Sequence, residues 1–193
     1  MKKLIEVTNS HERDACVALM CAEVYGHKAG LKPLLHYTEV MKSLLPNFAA
    51  RVVALAEGDK LLSTALLVVE EQGKAVSLEL IATPGHLRGK GYARELLERL
   101  TQTTAMRVET SDPYLEGFFT TFGFSRWSDK PGAKNTRIGV NERYPLKDSD
   151  SMDELVTVDE NVIIRNFKRD AASFEYYTQR FVDGVERSKE YFA

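Results

Sequence analysis

From Leu78 to Leu100 the chain reads LELIATPGHLRGKGYARELLERL, a buried strand, a glycine-bearing turn and an amphipathic helix in that order. After Tyr92, the apolar residues Ala93, Leu96, Leu97 and Leu100 recur at helical spacing. Glu95 precedes Arg99 by four residues, the favourable order for an ion pair on a helix surface. Gly89 and Gly91 stand in the turn, where a missing Cβ lets backbone amides approach a ligand closely. The helix therefore begins with unpaired amides facing out of the turn, an arrangement suited to an anion.

Spacing separates three phosphate-loop readings of this turn. A Walker loop needs four residues between its first glycine and Gly-Lys, followed by Ser or Thr. Here Gly85 lies too close to Gly89-Lys90, and Gly91 follows the lysine. A dinucleotide fingerprint needs Gly or Ala where Arg94 stands. What remains is Arg88-x-x-Gly91-x-Ala93, which resembles the Q/R-x-x-G-x-G/A signature of the GNAT superfamily of N-acetyltransferases. A strand-to-helix turn carrying two glycines is the plainer alternative, so support from elsewhere in the chain matters.

That support comes from Asp112 to Phe124. A second helix is expected over Asp112 to Thr121, ended by Phe122-Gly123-Phe124 with a glycine suited to a left-handed turn. Chains of this superfamily often carry an Asn, then a helix with a Tyr, then Gly-Phe, and Asp112, Leu115, Phe119, Gly123 and Phe124 fall at matching spacing. The resemblance implies an α/β fold: a twisted mixed sheet flanked by helices, here with a C-terminal helical extension. It covers residues 1–146 as the acetyltransferase-like domain and leaves 147–193 unexplained.

Along the chain, Leu4 to Val7 reads as a short strand, and Asn9 or Ser10 as the cap of a helix. That helix presents Cys16, Val17, Met20, Cys21 and Val24 as one stripe, which makes both cysteines core thiols rather than nucleophiles. Gly26 to Pro33 breaks the pattern, and Tyr37 to Leu45 reads as a second helix ended by Pro46. Three β runs follow, Val52 to Ala56, Leu62 to Val69 and Val76 to Ile81, with turn signals at Gly58-Asp59 and Gln72-Gly73 that predict an antiparallel meander. Ala105 to Glu109 is a fourth run, joined through the long helix and so able to lie parallel to the third. Two closing strands are expected at Ser125 to Trp127 and Asn135 to Val140.

Beyond them, Lys147 to Glu154 reads as a polar linker, since its aspartates lack the glycine and terminal glutamate of a calcium loop. A short hairpin from Leu155 to Val158 and Val162 to Ile164 is expected next. Asp170 then caps a last helix with Phe174, Tyr177, Phe181 and Val185 on one side. Such an aromatic stripe must pack on something: its own domain, a second subunit of a homodimer, or the acceptor cleft as a lid.

Composition limits the functional classes. Of 193 residues, 44% are hydrophobic and 28% charged, and the net charge of −2 offers no general attraction to nucleic acid or to an anionic membrane. No apolar run reaches the length of a membrane span, and the amino-terminal stretch turns polar too early for a secretory signal, so a cytoplasmic protein is expected. Four histidines and two cysteines show no metal-ligand spacing.

Acetyl transfer to an amine needs an acceptor for the ammonium proton and stabilisation of an oxyanion. Strict alternation over Val76 to Ile81 puts Val76, Leu78 and Leu80 on one face and Ser77, Glu79 and Ile81 on the other. Glu79 is the candidate base, with a partner role for a nearby cation as its structural alternative. The resemblance implies that Leu80, Ile81 and Ala82 flank the pantetheine arm of acetyl-CoA. It implies that Arg88, Gly89, Lys90, Gly91, Tyr92 and Ala93 surround the pyrophosphate, with Asp112 and Phe119 at the second motif. Many relatives carry Tyr where Phe119 stands, as acid to the leaving thiolate, and Phe119 has no hydroxyl; Tyr176 or Tyr177 would supply one if the last helix crossed the cleft. The resemblance also puts an acceptor wall at Tyr25 to Tyr37, with His27 and His36 read as surface residues. The expectation is an acetyl-CoA-dependent N-acetyltransferase acting on a small-molecule or peptide amine, the alternative a non-catalytic acyl-CoA sensor.

Overall fold

The computed structural model describes residues 1–26, 30–70, 72–145 and 159–192. Seven strands form one sheet: β1 (Lys2–Glu6), β2 (Ala50–Glu57), β3 (Lys60–Val69), β4 (Val76–Ala82), β5 (Met106–Thr110), β6 (Phe124–Asp129) and β7 (Arg137–Asn141). Their spatial order is β1-β2-β3-β4-β5-β7-β6, antiparallel except for the parallel pair β4–β5. That exception follows from the connection, because a helix, α3 (Tyr92–Thr103), carries the chain from β4 back to the start of β5. The remaining helices are α1 (Ser10–Tyr25), α2 (Lys32–Glu39), α4 (Pro113–Thr120), α5 (Glu160–Arg169) and α6 (Ala171–Tyr191).

The sheet separates two apolar cores. On one face α1 and α2 pack with Val52, Ala54, Leu66, Leu80 and Ala82; on the other, Leu96, Leu97 and Leu100 of α3 pack with Leu55, Leu67, Leu78 and Val108. Cys16 and Cys21 are free thiols buried in the first core, and desolvation pushes the Cys16 thiol up to about 12. Asn9 caps α1 by accepting from the amides of His11 and Glu12.

Two local expectations change. Pro33 opens α2 rather than interrupting a loop: it occupies the first turn, where a missing N–H costs nothing. The helix continues as a π-helical turn over Val40–Leu44. The Val162 to Ile164 arm of the expected hairpin lies inside α5, capped by Asp159, with Ile163 buried and Phe167 packed on the first core one turn later. Helical spacing of Ile163 and Phe167 outweighs the β propensity of a three-residue apolar run. The other arm, Leu155 to Val158, and the polar linker before it lie outside the described residues.

Asp170 caps α6 by accepting from the Ser173 amide. The aromatic stripe of α6 packs on its own domain, with Phe174, Tyr177, Phe181 and Val185 against the α1 core. Arg180 Nε donates to Asp14 Oδ2 at 2.8 Å, and the buried Asp14 also accepts from the Tyr37 hydroxyl. Gly184 lets the two helices touch: an ideal Cβ there would lie 2.7 Å from the Ala18 Cβ. The 147–193 extension thus contributes a full flank of the first core through α6.

Candidate active site

The turn between β4 and α3 is built on two left-handed glycines, Gly89 at φ 77° and Gly91 at φ 79°. Neither position is crowded, so glycine is required there by backbone conformation, which costs other residues about 1–2 kcal/mol. Gly91 is the residue before α3, and no side chain caps the helix, so the first-turn amides look into solvent at the positive end of the helix dipole. Leu87, buried at the end of a short 3-10 turn over Gly85–Leu87, anchors the loop to the core. Arg88 folds back from it: Nε donates to the Thr83 carbonyl at 3.2 Å, and Nη2 donates to the Glu23 carboxylate on α1.

This turn borders an open cavity of about 430 Å³ between the end of α1, the end of β4 and the start of α3. Ile81, Ala82, Arg88, Gly89, Gly91, Tyr92 and Ala93 line it. So do residues with no motif to announce them: Glu23 and Val24 from α1, Thr83 and Leu87 before the loop, Arg94 after it, and Phe118 from α4. The amphipathic phase of α1 predicts Val24 in the core stripe, whereas it is exposed at the helix end.

Lys90 is exposed in the loop beside the cavity without lining it, and Leu80 is buried in the first core. Asp112 caps α4, its carboxylate accepting from the Tyr114 amide at 2.8 Å. Phe119 packs on the second core with its ring edge-on to Phe124, while its neighbour Phe118 faces the cavity. Tyr177 stacks near Phe167, and Tyr176 is exposed with its hydroxyl accepting from Arg180; neither lines the cavity.

The strand that gives the cavity Ile81 and Ala82 parts from its neighbour before it reaches them. β4 pairs with β5 only at Val76↔Met106 and Ser77↔Arg107, after which β4 runs on to Ala82 while β5 turns toward β7. The lip of this opening carries a bulge. Leu66 pairs with Leu80 and Leu67 with Leu78, so Glu79 is an extra residue on β4. The bulge breaks the expected alternation: Leu78 enters the α3-side core, Leu80 the α1-side core, and Ile81 returns to the α3 side.

Glu79 is therefore solvent-exposed on a strand whose neighbours are buried. Protein atoms crowd it nonetheless, and desolvation pushes its carboxyl pKa above the ordinary range; the Ser77 hydroxyl pulls it back, Glu109 raises it further, and Arg107 and Lys130 lower it. Those charges belong to a chain of ion pairs along β5, buried at its Glu70–Arg107 end. Glu70 accepts from the Tyr144 hydroxyl at 2.6 Å and lies 3.4 Å from Arg107, which reaches Glu109 at 3.1 Å; Glu109 binds Lys130 at 2.5 Å.

At the end of α1, Tyr25 lies in the electrostatic range of Glu79, Glu39 and Glu160, and burial pushes its phenol up to about 12. Its hydroxyl is 3.3 Å from His36 Nδ1, and Lys32 Nζ sits 5.2 Å from its ring centre. His36 is not a surface residue: its side chain is only 12% exposed, 3.8 Å from Glu39, and desolvation lowers its pKa to about 4. α2 begins before it and folds it under Tyr25. His27 lies outside the described residues.

Comparison with solved structures answers the question of architecture. An acyl-CoA N-acyltransferase from Pseudomonas aeruginosa superposes with a TM-score of 0.54 at 12% identity, covering 73% of this chain and 98% of that one. An acetyltransferase from Thermus thermophilus gives 0.53 at 18% identity, over 73% and 96%. A protein assigned to the GNAT acetyltransferases from Desulfovibrio desulfuricans gives 0.51 at 14% identity, over 72% and 96%. This chain has the GNAT acetyltransferase fold. No family model and no curated protein matches its sequence. The fold is thus shared at identities where side-chain roles have to be argued from this chain's own geometry.

Proposed function

We propose that the protein transfers an acetyl group from acetyl-CoA to the primary amine of a small molecule or peptide. One observation carries this reading: the sheet splits between β4 and β5 beside an uncapped helix N-terminus, and a single cavity touches both β4 and the glycine turn. The amides after Gly89 and Gly91 would hold the pyrophosphate, with Arg88 and Lys90 adding charge. Leu80, Ile81 and Ala82 offer backbone along the split edge to the pantetheine arm, whose amides need strand-like partners. Asp112 and Phe119 support the site from α4, the one by capping it and the other by packing it.

In the transfer, Glu79 accepts a proton from the acceptor ammonium, directly or through water. The freed nitrogen lone pair forms the new C–N bond, the thioester C–S bond breaks, and the nitrogen gives up its second proton to solvent, from which the coenzyme A thiolate takes one. No side-chain acid is needed, since the thiolate is a fair leaving group and Phe119 has none to give. A cytoplasmic location, with its supply of acetyl-CoA, is part of this reading.

The test is calorimetric titration with acetyl-CoA, followed by release of free thiol over a panel of amines. Binding with amine-dependent thiol release supports transfer. A second reading, a non-catalytic acyl-CoA sensor, is favoured by the position of Phe119, which turns an apolar ring into the core where an acid would stand. It predicts tight binding with no thiol release from any amine.

A further inference from the structure

We infer that Glu23 is an internal anion that occupies Arg88 until phosphate takes its place, and so sets how strongly the cleft depends on the phosphates of its ligand. The inference rests on the acyl-CoA reading of the cavity. Both residues line that cavity, from different elements: Glu23 from the last turns of α1, Arg88 from the turn before α3. Their side chains form an ion pair, and the Arg88 guanidinium is further held by the Thr83 carbonyl.

A carboxylate on the wall of an anion site opposes the ligand twice. It adds a like charge, and it takes up the cation that would meet the phosphate. The pair is open to exchange because the Arg88 side chain is 58% exposed, whereas Glu23 is 27% exposed. Exposed ion pairs are weak, while arginine–phosphate contacts are charge-assisted and frequently bidentate. Arrival of a pyrophosphate therefore moves Arg88 off Glu23. A ligand without phosphates offers nothing for the exchange and leaves the pair closed.

The experiment titrates acetyl-CoA and the phosphate-free S-acetyl-pantetheine into wild-type protein, Glu23→Gln and Glu23→Ala, with thermal unfolding as the control for folding. Exchange predicts that both variants bind acetyl-CoA about two- to fivefold more tightly, the range of one competing surface charge, and bind S-acetyl-pantetheine as the wild type does. Unchanged or weaker acetyl-CoA binding overturns it. An equal gain for both ligands overturns it too, since Glu23 would then be a steric obstruction. Wild-type protein that binds no acetyl-CoA removes the acyl-CoA reading itself. Binding that Gly91→Glu abolishes but Glu23→Gln leaves alone removes the exchange and nothing else.

Discussion

The glycine turn and the Glu79 bulge belong to the same strand–turn–helix unit, yet they are built on different principles. The turn is local: two left-handed glycines and a helix start fix its amides, and everything it needs lies within a few consecutive residues. The bulge is non-local: β3 imposes it from outside, by pairing Leu66 and Leu67 with Leu80 and Leu78 and stranding Glu79 between them. The turn therefore offers a binding surface that any chain with those glycines would offer. The bulge gives a carboxylate an exposed position on an otherwise buried strand, with a pKa raised first by desolvation and adjusted by Ser77, Glu109, Arg107 and Lys130.

If the two regions divide binding from chemistry, their variants must separate. Glu79→Gln should lower turnover about a hundredfold, within the usual range for a lost general base, while acetyl-CoA titrates as before. In the wild type, activity should fall as pH drops through the raised Glu79 pKa, because only the carboxylate can take the ammonium proton. The deficit of the variant should shrink at high pH, where free amine is abundant. Wild-type turnover across the pH range would reduce Glu79 to a structural carboxylate.

Gly91→Glu should do the reverse. It forces a side chain into a left-handed position at the helix start and sets a negative charge against phosphate, so acetyl-CoA affinity should fall more than tenfold, or by more than about 1.4 kcal/mol. Calorimetry on a folded variant with unaltered affinity would separate the turn from the cofactor.

A change in neither region tests whether the division is real. Gly184→Ala, in the α1–α6 contact, meets Ala18 before any helix propensity is gained. Overpacking should win by about 1 kcal/mol in denaturant unfolding, with affinity and turnover per folded molecule intact. Loss of turnover instead would tie the extension to the site.

An effect confined to acid pH concerns His36. Its folded pKa is lowered to about 4, so the unfolded chain binds the proton more readily and stability must fall as pH drops from about 6.5 toward 4. His36→Gln should flatten that part of the stability profile. An unaltered slope would assign the acid loss to other groups.

Much of this was legible in the residues. Periodicity located the meander, α1, α3 and α4, and the spacing Arg88-x-x-Gly91-x-Ala93 located the turn, because each is a property of neighbours along the chain. The same reasoning failed at Val162 to Ile164, where three apolar residues carry no period of their own, and at His36, whose burial depends on how α2 folds beneath Tyr25. It also put Leu78 and Leu80 on one face, since alternation assumes an unbroken ladder and a bulge is written in the partner strand.

The sequence by itself determined that a glycine turn would open a helix at the end of a buried strand, and hence that an anion could be held there; backbone conformation at Gly89 and Gly91 follows from the missing Cβ alone. Only the tertiary structure decided that β5 parts from β4 after Ser77, that Glu79 is squeezed out of register, that Arg88 is met by Glu23, and that α6 closes on Ala18 through Gly184. Each of these is a meeting of segments far apart in the chain. Such meetings are fixed by packing and pairing across the sheet, which no single stretch of residues encodes.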